Sequence, residues 1–371
     1  MRLLFPFLAI ILAACGNQPA SPAFHAEGRP DLLSDWGMVS VRDGHLVLSD
    51  GVEPYDLNTP LFTDHAGKLR TIWMPEGTSA TYREGQVLDF PIGTVITKTF
   101  YYPVDGDGHV LRGDQGLLVS DSPETLDLER VRLVETRLLV HREDGWVALP
   151  YVWNEDESDA QLMRAGYSET LTLAEAGGTI RDIHYLVPNV NQCAGCHATN
   201  NTTRALSPIG PAARHLNRDY AYAGGVENQL SHLIARGYLT GAPDPDLAPR
   251  AAVWNNPDIP LDQRARAYLD INCAHCHNPV GPADTSGLHL NFDAPVSPNL
   301  GLCKPPIAAG PGSGGLRFDI VPGNPEDSIF IYRMASTRGD VMMPELGRSL
   351  THHEGVALIS EWIAGLEGGC N

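Results

Sequence analysis

The sequence has no long apolar run beyond its first residues, so no later segment is predicted to span a membrane. It also lacks a nucleophile elbow, a phosphate-binding loop and a dinucleotide fingerprint, which argues against the enzyme classes that depend on those motifs. Basic side chains are scarce, with 26 lysines and arginines against 45 aspartates and glutamates and a net charge of −19. This acidic balance disfavours nucleic acid and anionic lipid, and it is compatible with steering basic protein partners or with solubility alone.

The one apolar run lies at the N-terminus, where Arg2 precedes apolar residues 3–12 and Leu12-Ala-Ala-Cys15 follows. The run is too short to cross a bilayer and ends in small residues before a cysteine, which predicts a lipoprotein signal peptide over residues 1–14 and lipidation of Cys15. An ordinary signal peptide with a chance cysteine is the alternative. Because Gly16, not aspartate, follows Cys15, lipoprotein sorting by analogy predicts a periplasm-facing lipoprotein of the cell envelope, anchored in the outer membrane by lipid alone.

The mature chain of 357 residues exceeds one usual core, so we expect several domains. Residues 15–31 are rich in proline, alanine and small polar residues, which predicts a flexible tether. Residues 32–178 are strand-like, because Asp43-Gly44 and Asp144-Gly145 separate apolar runs as in hairpins. After these residues, helical spacing over 225–236 and 262–272 and a capping box at Thr351–Glu354 predict helices.

Two Cys-x-x-Cys-His motifs occur: Cys193-Ala-Gly-Cys196-His197 and Cys273-Ala-His-Cys276-His277. Two thiols at this spacing can form thioethers with the vinyl groups of a haem, and the histidine that follows can ligate its iron. The motifs therefore predict two covalently bound c-type haems, with His197 and His277 as axial ligands. A zinc site and a dithiol redox site are the rivals, but 76 residues separate the two cysteine pairs and a histidine follows each pair.

Methionine is absent between the first motif and Met334, which constrains the sixth iron ligands. Met343-Pro344 lies 66 residues after His277 on a loop before the last predicted helix, so Met343 is the predicted sixth ligand of the second haem, with Met342 as the fallback. The first haem has no local methionine. Its sixth-ligand candidates are His184, His215, His232 and Met163, and an open position would permit small-ligand or peroxide chemistry.

Two cysteines remain after lipidation and haem attachment, Cys303 and Cys370, and an exported chain predicts that they form a disulfide. Asp105-Gly-Asp107-Gly-His109 has some features of a calcium loop. Val110 and Gly116 replace the glycine and the bidentate glutamate of an EF-hand, so we interpret the segment as a polar hairpin turn.

From Cys273 onward the sequence resembles a cytochrome c domain, with a preceding helix over 264–272, the Met-Pro loop and a helix that ends in Glu361-Trp-Ile363. Together with the segments 187–193, 273–279 and 322–328, most of the mature chain resembles an uncharacterised family of exported diheme c-type cytochromes. Members are noted beside parallel β-helix repeat proteins, which implies a surface partner. Similar segments also occur fused to quinoprotein sugar dehydrogenases, which implies a dehydrogenase as electron donor.

These observations predict a multidomain chain: an N-terminal mainly-β domain, a sandwich or small barrel over residues 32–178, followed by a mainly-α cytochrome c-type haem-binding region. Within that region, residues 179–255 are the first haem-binding segment and residues 256–371 the second haem domain. The predicted function is electron transfer between envelope redox partners, from the first haem to the higher-potential second haem. A diheme peroxidase with an open first haem, and a β domain that binds a ligand with a redox outlet, are the alternatives.

Overall fold

The computed structural model describes residues 21–115, 119–120, 122, 124–175, 177–307 and 309–370. The predicted signal peptide and Cys15 lie outside these residues. The strands, in chain order, are β1 Val39–Arg42, β2 His45–Leu48, β3 Glu53–Tyr55, β4 Gly67–Trp73, β5 Ala80–Thr81, β6 Val95–Pro103, β7 Thr125–Asp127, β8 Val131–Arg142, β9 Gly145–Trp153, β10 Ala160–Leu162, β11 Tyr167–Ala174, β12 Ile180–Val187, β13 Asp219–Tyr222, β14 Gly225–Asn228 and β15 Leu239–Thr240. The α-helices are α1 Val190–His197, α2 Ala213–Leu216, α3 Gln229–Ala235, α4 Leu261–Leu269, α5 Ile329–Ala335 and α6 His353–Ala364. No helix among the described residues has the length and apolarity needed to cross a bilayer.

The largest element is an open antiparallel sheet of six strands in the order β10-β9-β8-β6-β4-β3. Both predicted hairpins form: Arg42 pairs with His45 between β1 and β2, and Arg142 pairs with Gly145 between β8 and β9. Gly44 and Gly145 take the positive φ that these tight turns require. Strands β1, β2 and β7 form a separate three-stranded sheet.

Alternate side chains of each strand point to opposite faces of the six-stranded sheet, and buried apolar residues pack on both faces. On one face, Val95 and Leu149 pack in a core with Leu46 of the three-stranded sheet. On the other face, Ile96 belongs to a second core and Phe100 to a third. Lys98 lies between these two residues on the same face, so a charged position interrupts the apolar surface.

The prediction of a mainly-α haem-binding region after residue 178 is wrong. The structure is mainly β, with 27% strand and short helices, and the described residues contain no all-α cytochrome region. The longest helix, α6, has 12 residues and α2 has four. One physical reason is the placing of proline and glycine: the 3₁₀ turn Pro298–Leu300 begins at a proline and ends at Gly301, which has a positive φ, so this turn does not extend into an α-helix.

Three local expectations also change. The segment predicted as one helix over 225–236 begins as strand β14 and only then becomes α3. The capping box at Thr351 does not form, because α6 begins at His353 and the Thr351 hydroxyl donates to the carbonyl of Ala335 at 2.9 Å. In the predicted tether, the described residues lie against the first core, and Ala23 N donates to Trp36 O at 2.9 Å.

Candidate haem-binding site

The first motif lies on α1, whose start is fixed by a reciprocal cap. The Asn189 side chain accepts hydrogen bonds from the backbone of Asn191 and Gln192, and the Gln192 side chain accepts one from Asn189 N at 2.9 Å. Because helical residues three and four apart share one face, α1 places Cys193, Cys196 and His197 side by side. This is the arrangement that two thioethers and one axial ligand require.

The imidazole of His197 is held in the orientation of an iron ligand. Its Nδ1 lies 2.8 Å from the carbonyl oxygen of Ser207, and since a carbonyl only accepts, Nδ1 carries the proton. Burial, followed by the charge of Lys98, lowers the pKa of His197 to about 3, so the ring is neutral. Its Nε2 therefore has a lone pair available for a metal, the usual arrangement of a ligating histidine.

The second motif follows α4 through a single π-helical turn, Asp270–Ala274, that contains Cys273. His277 Nδ1 lies 3.0 Å from Ser286 Oγ, and the Ser286 hydroxyl donates its own proton to Ala283 O at 2.7 Å. The serine oxygen must therefore accept from His277 Nδ1. Burial lowers the pKa of His277 to about 4, which leaves a neutral ring with a free Nε2.

A cavity of about 420 Å³ adjoins the second motif and is lined by Cys273, Cys276, His277 and Met343. Met334 also lines it, whereas Met342 does not. The predicted sixth ligand and the predicted axial histidine thus face one cavity, and the fallback methionine does not. The size lies within the range of small-molecule and cofactor pockets.

The two motifs contact each other. Cys276 Sγ lies 3.4 Å from the carbonyl oxygen of Gly195, the residue next to Cys196. Cys196 itself lines the cavity beside the second motif. A Cβ atom added to Gly195 would lie 3.0 Å from a methyl group of Leu346, so glycine permits the close approach of Leu346 to this residue. Although 76 residues separate the cysteine pairs in sequence, the fold brings both attachment sites to one place.

The geometry disfavours the rival sites. Among the described residues, the group of three or more potential metal ligands whose atoms lie within 4.8 Å of one another is Asp105, Asp107 and His109, and it includes no cysteine. A tetrahedral zinc site needs four ligands within such a distance. Burial also raises the pKa of the Cys273 and Cys276 thiols to about 12, the reverse of the shift that a redox-active thiolate requires.

Three of the four predicted sixth ligands of the first haem have other roles. His184 is exposed on β12 and contacts Thr170 Oγ1 at 3.2 Å. Both ring nitrogens of His232 are paired, with Glu53 at 2.9 Å and Glu227 at 2.6 Å. Met163 packs against the third core.

His215 differs from these candidates. It is 2% exposed, pairs through Nε2 with Asp270 at 3.0 Å, and has a buried Nδ1 with no hydrogen-bond partner. It lines a larger cavity of about 980 Å³ together with Thr199 and Ser207, which follow the first motif. Of the four predicted candidates, it is the one that both has a buried ring nitrogen without a hydrogen-bond partner and lines a cavity beside a motif.

The structure also reveals two groups near the first motif that sequence reasoning missed. The charges of Lys98 and His275 both lower the pKa of His197. Within the described part of the chain, Lys98 Nζ has no hydrogen-bond or ion-pair partner and lies 5.2 Å from the centre of the Phe100 ring. Because lysine is rarely buried, a lysine between apolar residues on one face of a strand could have indicated from the sequence that this position belongs to a site.

Cys303 and Cys370 form a disulfide with Cα atoms 5.2 Å apart, the pairing that the cysteine count predicts. The other four described cysteines are free, and all four belong to the two motifs. The residues present therefore fit two covalent haems: four free thiols, two neutral imidazoles with fixed Nδ1 protons, and a methionine that lines the same cavity as one of them.

The chain has no significant match among protein-family models, curated proteins or solved structures. The family resemblance of its motifs therefore stays a prediction.

Proposed function

We propose that this protein is an exported electron carrier with two covalently bound c-type haems, one at each Cys-x-x-Cys-His motif. The observation that supports it most directly is the contact between the motifs, Cys276 Sγ to Gly195 O at 3.4 Å. Two attachment sites in contact suit electron passage between two centres, whereas independent sites would not need to meet.

When bound, a haem supplies a one-electron iron couple whose potential depends on its axial ligands and on burial. The chain's own part is to attach, orient and ligate. Cys193 and Cys196 attach the first group, and Cys273 and Cys276 attach the second. The carbonyl of Ser207 and the hydroxyl of Ser286 fix the rings of His197 and His277. Met343 faces the same cavity as His277.

A methionine sulfur as axial ligand raises the reduction potential of a c-type haem. With Met343 as its ligand, the second haem would therefore have the higher potential and would accept electrons from the first. We propose redox proteins as the partners, a dehydrogenase or a parallel β-helix protein on the family resemblance. The net charge of −19 favours a partner with a basic contact surface. Lipidation at Cys15 would keep the protein at the membrane surface of the envelope.

The test is to produce the chain with a c-type haem maturation system and to determine its intact mass. We expect two haems in the parent protein and one in each double variant, Cys193→Ser with Cys196→Ser, or Cys273→Ser with Cys276→Ser. A redox titration should show two one-electron steps, and peroxide should not be turned over. Fewer than two haems would refute the proposal, and rapid peroxide turnover at a high-spin first haem would favour a diheme peroxidase.

A further inference from the structure

The loop that carries Met343 is held by a buried arginine. Arg348 is 6% exposed, and its guanidinium donates to the carbonyl of Met343 at 3.0 Å. It also donates to Ser336 O at 2.8 Å, to Leu350 O at 2.9 Å and to Arg333 O at 3.3 Å. One side chain thus joins the methionine loop to the end of α5 and to the segment that leads into α6.

No carboxylate of the described residues lies within ion-pair distance of Arg348. Burying a charge without a direct counter-ion is costly, and here the direct contacts of the guanidinium are backbone carbonyls, while the charge of Asp64 acts on it from beyond ion-pair distance. Such a costly group is expected where a unique local geometry matters more than stability.

A buried carboxylate from the β part of the chain binds the next two residues. Asp64 lies between β3 and β4 and is 2% exposed. Its carboxylate accepts hydrogen bonds from Ser349 N at 2.8 Å, from Ser349 Oγ at 2.9 Å and from Leu350 N at 2.8 Å. Asp64 has no lysine or arginine partner in the described structure, so its charge too is held by hydrogen bonds.

The neighbouring Phe62 reaches the other side of the same cavity. Phe62 N donates to Asn272 Oδ1 at 2.9 Å, and Asn272 immediately precedes Cys273. The Phe62 ring stacks on His352 with centroids 4.3 Å apart, and both rings line the cavity of the second motif. Residues 62–64 therefore contact both the attachment side and the methionine side of this cavity.

We propose that Asp64 and Arg348 are positioning residues that hold Met343 in place as the sixth ligand, so that the β part of the chain controls methionine ligation at the second haem. The inference rests on the proposed function. It gives the β part a specific task, since a local change at residue 64 would be transmitted through Ser349 and Leu350 to the methionine loop.

The test uses holoprotein of the variants Asp64→Asn and Arg348→Lys. Asparagine keeps the size of Asp64 but replaces one of its two acceptor oxygens with an NH2 donor and removes the charge, and lysine cannot reach four carbonyls at once. We expect the sulfur-to-iron charge-transfer band of the ferric protein to be lost or strongly reduced, and the potential of the second haem to fall. The matched control is Arg338→Lys, because Arg338 lies on the same segment but is exposed and pairs with Asp340 at 2.7 Å.

A milder variant, Ser349→Ala, covers the case in which the charged variants do not fold. It removes one hydrogen bond to Asp64, and one such bond changes an equilibrium by about fivefold. In a titration that raises the pH until the band is lost with release of one proton, a fivefold change lowers the midpoint pH by about 0.7 units. An unchanged band and midpoint in all three variants would overturn the inference.

The haem count separates this inference from the proposed function, because the thioethers do not depend on Met343. A parent protein with two haems but no sulfur band would overturn the inference and leave the proposed function standing. Fewer than two haems by mass would overturn the proposed function itself.

Discussion

Replacing Ser286 with alanine should raise the reduction potential of the second haem and leave the first unchanged. Ser286 Oγ accepts the Nδ1 proton of His277 at 3.0 Å, and its own proton is committed to Ala283 O. An imidazole whose Nδ1–H donates a hydrogen bond gives more electron density to the metal at its other nitrogen, which favours ferric iron. Without the serine oxygen, His277 becomes a weaker donor and ferrous iron is relatively favoured.

The magnitude follows from one hydrogen bond. A net value of about 1 kcal/mol, with a range of about 0.5–1.5, is typical. For a one-electron couple, 59 mV corresponds to a factor of ten, or about 1.4 kcal/mol, so the expected rise is about 40 mV. A spectroelectrochemical titration that resolves both haems measures this shift.

Two variants serve as controls. Ser207→Ala should move neither potential, because His197 is held by the Ser207 backbone carbonyl and not by its side chain. Ser313→Ala removes an exposed serine hydroxyl that donates to Gly310 O at 3.0 Å and should also be neutral. A Ser286→Ala protein in which the potential of the second haem is unchanged, or in which the potential of the first haem shifts, would refute the assignment of His277 as an axial ligand of the second haem.

Three further predictions concern ligation and stability. Met343→Ala should abolish the sulfur-to-iron charge-transfer band while Met342→Ala retains it, since of these two methionines Met343 alone lines the cavity. The reverse result would assign the ligand to Met342. The double variant Cys303→Ser, Cys370→Ser opens a loop with a sequence separation of 67. It should lose up to about 4 kcal/mol in denaturant unfolding, whereas a loss below about 0.5 kcal/mol would show that the bridge does not constrain the unfolded chain. Asp270→Asn breaks a buried pair with Arg214 and His215 and should cost about 3–5 kcal/mol at pH 7. Burial alone would raise the pKa of Asp270, but His215 and Arg214 lower it to about 2, so its contribution is complete above about pH 3.8 and is lost as the pH falls toward 2. Unfolding midpoints of parent and variant that stay equally far apart from pH 7 down to pH 2 would contradict this sign.

The sequence was most informative where chemistry depends on spacing within a few residues. The two Cys-x-x-Cys-His motifs and the Asp-Gly hairpins are local patterns; both hairpins form, and α1 places the cysteines and the histidine of the first motif on one face. Cys303 and Cys370 were paired by counting, and their disulfide is present. Met343 was chosen for its loop and its place in the chain order, and it faces the cavity of His277.

Local residue patterns did not predict the fold class or the long-range contacts. The mainly-α expectation applies the helices of a cytochrome c domain to a segment in which the helices are short and loops with glycine and proline, such as the turn at Pro298–Leu300, lie between them. The approach of Cys276 to Gly195 joins residues 81 positions apart, and the hydrogen bonds that Asp64 accepts from Ser349 join residues 285 positions apart. Such contacts depend on tertiary packing, which a single sequence does not encode as a local pattern.

Buried charges were the signal that sequence reasoning could have used more. Lys98 is half-buried and shares one face of β6 with Ile96 and Phe100, while Asp64 and Arg348 are themselves buried. Buried charged side chains are rare without a specific partner, so such positions point to a site even before the partner is known. Their partners lie in other parts of the chain, which only the fold identifies.

Electron transfer between the two haems within one molecule tests the central claim most directly. A single electron delivered by pulsed reduction to fully oxidised protein should reach one haem and then equilibrate with the other. Because the two attachment sites touch, the rate of this second phase should be independent of protein concentration. A second phase whose rate rises in proportion to protein concentration, or no second phase with both haems present, would contradict the account.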